Sequence, residues 1–164
     1  MDLEWDHDFF ATNMAVHPYH GSIYYNSGRS LGLSPLGASV EAALGSLMWE
    51  IYGETDRPST ADLFTTTFGG IVIGEMTHRL SDAVLDERKR GAERVWREAL
   101  ATVVNPVRGL NRIITGRAWK VRQSSGRTTT PPPDLEVSVG AGWLQGDYAA
   151  AFVQLGADYG SPFG

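Results

Sequence analysis

SPLGASVEAALGSLMWEIYGETDRPSTADLFTTTFGGIVIGEMTHRLSD (34–82) decides the fold. It opens on Ser34-Pro35, a serine able to cap free helical N–H groups and a proline suited to a first turn. From there Leu36, Val40, Leu44, Leu47, Met48 and Ile51 recur at helical spacing, and Ala38, Ala42, Ser46, Glu50 and Glu54 fall every four residues. Gly53 to Pro58 breaks this helix, and Ser59-Thr60-Ala61-Asp62 has the form of a capping box for the next. That second helix is predicted to reach about Leu85, and it repeats the stripe as Asp62, Thr66, Gly70, Gly74 and His78. Small residues at this spacing let helices approach closely. The two stripes are therefore expected to pack as an antiparallel pair, bringing Glu50 and Glu54 near Asp62 and Thr66.

Upstream, the first thirty residues read as one or two short helices broken near Pro18. Downstream, a helix over about Glu87 to Val104 has alternating charges on one side and Val95, Trp96, Leu100 and Val103 on the other. It reads as a surface helix closing a bundle. Asn105-Pro106 ends it, and Leu110, Ile113 and Ile114 mark one more short helix before Gly116. SSGRTTTPPP (124–133) is an extended linker. Beyond it the period changes to two: Leu135, Val137, Val139 and Ala141 alternate with Glu136, Ser138, Gly140 and Gly142, and a second alternating run follows Gln145-Gly146-Asp147. Strands of this length with an apolar face and terminal aromatics read as a transmembrane barrel hairpin; a soluble hairpin packed on helices would alternate in the same way.

The predicted class is α+β: a bundle of about four to five helices (1–123), a linker (124–133) and an antiparallel β-hairpin (134–164), expected to be the first strands of an incomplete barrel. The chain has 164 residues, 42% of them hydrophobic and 20% charged, which is one ordinary folded domain rather than a disordered segment. Its net charge of −5 is unevenly spread. Residues 107–133 carry Arg108, Arg112, Arg117, Lys120, Arg122 and Arg127 with no acid, a stretch that fits a solvated connector or a contact for phosphates or lipid headgroups. The absence of cysteine excludes disulfides and thiolate chemistry without fixing a compartment. Asp2, Glu4, Asp6 and Asp8 give the start the wrong charge for a secretion signal, and no apolar run reaches the roughly 18–20 residues of a spanning helix. Both ends look abrupt, and the chain is expected to be a fragment of a longer protein.

Ionisable groups recur between His17 and Arg79 inside otherwise apolar or glycine-rich stretches. Buried charges are costly unless paired, so one shared polar site within the bundle is expected. Its candidates are His17 or His20 as a general base and Glu50 or Glu54 as an acid or orienting group, with Tyr24, Arg29, Asp62, Thr66, Glu75, His78 and Arg79 completing the cluster. The structural alternative pairs Glu50 or Glu54 with Arg29, Arg57 or Arg79 and leaves Asp62 as a helix cap. Glu75-x-x-His78 has the spacing of di-iron bundles, but these need two such pairs and two further glutamates, so neither metal nor cofactor is expected. No nucleophile elbow, phosphate loop or Gly-x-Gly-x-x-Gly is present, and aromatic residues do not interleave with basic ones as in nucleic-acid binders.

HPYHGSIYYNSGRSLGLSP (17–35), GSLMWEIYGETDRPSTADLFTTTFGGIVIGEMTHRLSD (45–82) and NPVRGLNRIITG (105–116) together resemble the bacterial family catalogued as domain of unknown function 3943. The resemblance implies a Gram-negative envelope protein of the outer membrane or periplasm, with a helical region followed by an outer-membrane-type β-barrel that contacts membrane lipid. It carries no activity and no catalytic residues. Some twenty-five residues, from Glu50 through Pro58-Ser59 and Asp62 to Gly74, are also similar to the helix pair of VanZ-like membrane proteins, departing where Thr66 or Thr67 stands for an expected Asn.

Overall fold

The computed structural model describes residues 12–53, 58–121, 134–144 and 148–158, in two units, Met1–Gln123 and Ser124–Gly164. A π-helical stretch, Thr12–Val16, runs directly into α1 (His17–Leu31). Pro18 therefore does not break a helix as expected. It lies in the first turn, where a missing N–H costs nothing. Gly32, at φ 107°, ends α1 in the left-handed conformation that glycine adopts without a Cβ clash. Ser34 caps α2 (Pro35–Tyr52) by accepting the Gly37 N–H at 3.1 Å. Ser59 does the same for α3 (Thr60–Phe64), accepting the Asp62 N–H at 3.3 Å. A π-helical turn, Thr65–Gly69, joins α3 to α4 (Gly70–Val84), so the expected helix to about Leu85 is present with one widened turn. Then come α5 (Gly91–Val104) and α6 (Pro106–Ile114), the latter capped by Asn105, whose Oδ1 accepts the Arg108 N–H at 3.0 Å.

The α2 stripe meets the second helix at its start, as expected, where Glu50 accepts the Ser59 N–H beside Asp62, but α1 packs against both helices and takes up most of the α4 stripe. The reason is backbone proximity. A Cβ on Gly70 would lie 2.4 Å from the Gly21 carbonyl carbon, and one on Gly21 would lie 1.8 Å from the Thr66 oxygen. Gly74 likewise accommodates the Tyr25 ring, and Gly45 of α2 the Tyr24 ring. Ala38 and Ala42, both 0% exposed, close on Tyr25 from the other side.

The polarity of this unit is inverted. The large apolar side chains that gave α2 its periodicity, Leu36, Val40, Leu44, Leu47 and Met48, point outward, while Ala38, Ala42, Ser46 and Glu50 are buried. α5 repeats the inversion, contrary to the expected surface helix. Its apolar face is outside, with Val103 76% exposed, and Arg94 and Ala101 are inside. In α6, Leu110, Ile113 and Ile114 are exposed, whereas Gly109 and Arg112 are buried.

In the second unit, β1 (Asp134–Leu144) and β2 (Tyr148–Asp158) form an antiparallel two-stranded sheet. The register sets Leu135, Val137, Val139, Ala141 and Trp143 opposite Ala157, Leu155, Val153, Ala151 and Ala149. Every odd-numbered pair is thus apolar, as the period of two requires. Phe152 lies opposite Gly140, its ring occupying the place of the missing side chain: a Cβ there would meet it at 2.1 Å. The linker 124–133 and the turn 145–147 lie outside the described residues.

Candidate functional site

The polar groups expected to share one centre are strung along α1 in separate sets. From His17 to Arg29 the helix rises about 18 Å at ~1.5 Å per residue, which is too far for one site.

The first set lies where α1 begins. The helix start presents His17 to the first turn of α3, and His17 Nε2 stands 3.4 Å from Asp62 Oδ1 with both side chains buried. Glu50, near the end of α2, accepts the Ser59 N–H through Oε2 at 3.1 Å, and Ser59 in turn caps the Asp62 N–H. Glu50 thereby holds the start of α3 at the distance that brings Asp62 to His17. Thr66 is buried beside Gly21. His20, one turn further on, contacts the Tyr24 hydroxyl at 3.0 Å and meets the Trp49 ring edge-on at 4.6 Å between centroids. Burial first, and the neighbouring His17 second, hold the His20 imidazole below its ordinary value. Burial raises the Tyr24 hydroxyl. Glu54, the remaining catalytic candidate, and Arg57 lie outside the described residues.

The second set centres on Glu75 of α4. Its carboxylate accepts from Tyr25 Oη at 2.6 Å, from Arg29 Nε at 2.9 Å and from Arg79 Nε at 2.7 Å. Burial alone would raise this carboxyl, but the hydrogen bonds from Arg29, Tyr25 and Arg79 outweigh it and hold the group at about 2. Tyr25 is pushed up to about 12, by burial first and by the bond to Glu75 second. Arg29 and Arg79 thus pair with Glu75; the Glu50 partner expected for them is Ser59 instead.

His78 belongs to neither set. Its Nε2 is 3.7 Å from Asp82, and Arg108 of α6 donates to both Asp82 and the His78 carbonyl. Burial, with the Arg108 charge, holds His78 at about 4.

Three structural groups were missed in the sequence. Asn105 Nδ2 donates to Asn26 Oδ1 at 2.7 Å, tying the α6 cap to α1. Buried Arg112 clasps Glu98 with two bonds of 2.9 and 2.7 Å and reaches Glu87 at 2.9 Å. Buried Arg94 donates to the carbonyls of Ala118, Arg117, Lys120 and Glu87 at 2.8 to 3.0 Å. Part of the signal is in the sequence, since Arg94 and Glu98 lie four apart on one face of the helix, a face that the sequence reading assigns to solvent.

Chemically, the His17–Asp62 pair sets a buried imidazole within ion-pair distance of a carboxylate, the two residue types of an acid–base pair. Among the described residues no group of three or more His, Asp or Glu is arranged to hold a metal ion. A groove of about 320 Å³ between α2 and the α3 segment is lined by apolar side chains, among them Leu44, Leu47, Leu63, Phe64 and Phe68. Among the described residues no helix is long and apolar enough to cross a membrane.

Against known proteins, residues 2–107 match the family model described as Domain of unknown function (DUF3943). No curated protein and no solved structure matches the chain.

Proposed function

On the premise that the chain belongs to this family of unknown function, we propose that it is a component of the Gram-negative cell envelope. In this reading the hairpin is part of an outer-membrane β-barrel and the helical unit is its periplasmic cap. The observation that carries the reading is the hairpin register, in which all odd-numbered pairs are apolar over strands of 11 residues. At ~3.3 Å per residue and a tilt of about 40°, such a strand spans about 28 Å, close to the roughly 25 Å apolar band of these barrels. A two-stranded sheet is marginal in water by itself, which favours further strands alongside.

The test is fractionation of the full-length protein with a gel comparison of heated and unheated samples. The reading requires recovery in the outer membrane and heat-modifiable migration. Recovery in the soluble cytosolic fraction would end it.

One observation favours a second reading, an envelope hydrolase or lipid-modifying enzyme: the buried contact of His17 with Asp62, steadied by Glu50 through Ser59. His17→Ala and Asp62→Asn would then abolish turnover of envelope lipid while the helical circular dichroism stays intact. Unchanged lipid composition in cells carrying either variant removes this reading.

A further inference from the structure

Arg94 does more than fill the interior between α5 and α6. Its guanidinium takes the carbonyls of Arg117, Ala118 and Lys120 on one side and of Glu87 on the other. It thereby clamps the turn after α6 against the loop before α5. At this end of the helical unit every carboxylate is already held by a cation: Asp86 by Arg88, Glu93 by Lys89 and Arg97, and Glu87 and Glu98 by Arg112. Arg90, Arg117 and Lys120 are left over, exposed and in no ion pair among the described residues. Between the last two stands Trp119, 71% exposed, and the outward apolar side chains Val95 and Trp96 of α5 and Ile113 and Ile114 of α6 belong to the two helices that this clamp joins.

We propose that this clamped turn is a docking site for an anionic lipid surface, with Arg90, Arg117 and Lys120 at headgroup phosphates and Trp119 at the boundary with the acyl chains. Three features choose this occupant. The surplus charge is positive, and Arg94 holds the backbone of the turn that carries Arg117 and Lys120, so that turn presents a cationic face to an anionic surface. Tryptophan beside basic side chains is the composition of a membrane interface, where an amphipathic ring and a cation both find their medium. Val95, Ile113 and Ile114 beside them are aliphatic, which suits acyl chains. Moreover, exposed apolar side chains extend over α2, α4, α5 and α6. The inference rests on the helical unit alone and goes beyond the barrel reading.

The experiment is flotation of the purified full chain with vesicles of phosphatidylcholine alone and with about a third phosphatidylglycerol. Each cation near such a surface contributes about 1 kcal/mol, so R117E/K120E is expected to lower the partition coefficient for anionic vesicles at least about tenfold, with helical circular dichroism unchanged. Trp119→Ala should weaken binding to a smaller degree, and raising the salt should mimic the charge reversal. Equal partition onto neutral and anionic vesicles would overturn the proposal. So would an unaffected R117E/K120E, or retention of a nucleic-acid probe in place of vesicles. Heat-modifiable migration of the same samples reports separately on the barrel, so failure of one reading is distinguishable from failure of the other.

Discussion

Replacing Glu75 by Gln removes the charge on which three side chains of two helices converge. Gln keeps the volume and one acceptor, but it cannot accept from Tyr25, Arg29 and Arg79 together, and it leaves two guanidinium groups facing a neutral amide. The magnitude follows from the carboxyl itself, held at about 2 against an ordinary 4.5. That gap corresponds to roughly 3 kcal/mol. Arg79 is about half exposed, and solvent screens its share, so about 2 kcal/mol is expected. In the full chain this is a drop of about 8 °C in the midpoint of the helical signal. The sign with pH is fixed too. A carboxyl depressed in the folded state gives its full stabilisation above about 4.5, and loses it as pH falls toward 2, because the unfolded chain takes up the proton first. Urea unfolding followed at 222 nm should therefore show wild type and Glu75→Gln well apart at pH 6 and converging near pH 2. A separation below about 0.5 kcal/mol at pH 6, or one that persists to pH 2, would refute the argument.

Other consequences are as definite. Gly70→Val places side-chain atoms against the Gly21 backbone, which cannot yield, so loss of at least about 3 kcal/mol, read from urea unfolding, is expected. Arg112→Ala takes the paired cation from half-buried Glu98 and should cost about 2 kcal/mol in urea unfolding; Arg112→Met, which removes the charge but keeps the stem, should fare no worse. His78, held at about 4 against an ordinary 6.5, is neutral in the native protein. The unfolded chain binds its proton first as pH falls, so stability is full above 6.5 and declines between 6.5 and about 4. His78→Asn should lower the slope of stability against pH in that window, and an unaltered slope would show that His78 does not carry it.

Much of the local structure was legible because its causes are local. Ser34 and Ser59 cap their helices with their own side chains, and the strands of the hairpin follow from alternation. What alternation at helical spacing cannot say is which of two faces points inward. In α2 the larger apolar face was the natural choice for the core, yet the stripe of Ala38, Ala42 and Ser46 is inside. Gly21 and Gly70 bring the α1 and α4 backbones into contact, and Gly45 and Gly74 leave room for the Tyr24 and Tyr25 rings, so the small-residue face of α2 turns toward α1. The same geometry explains the polar sets. His17 and Asp62, or Arg29 and Glu75, are far apart in sequence, and their pairing depends on α1 lying against α4, which the stripes alone assigned to α2. Arg94 and Arg112 were hidden by a habit of reading charged faces as solvated, a reading that fails where carbonyls and carboxylates are waiting on the other side.

The inverted polarity of the helical unit is the claim on which the envelope reading of that unit and the lipid contact both lean, and the absence of native cysteine makes it directly measurable. Single cysteines placed at Val72, Val103 and Leu36, and separately at Ala38, Ser46 and Ser81, can be challenged with N-ethylmaleimide in the folded full-length protein. The account predicts rapid modification at the three aliphatic positions and protection at the three small ones until denaturant is added. Protection at Val72, Val103 and Leu36 with free reaction at Ala38, Ser46 and Ser81 would contradict it.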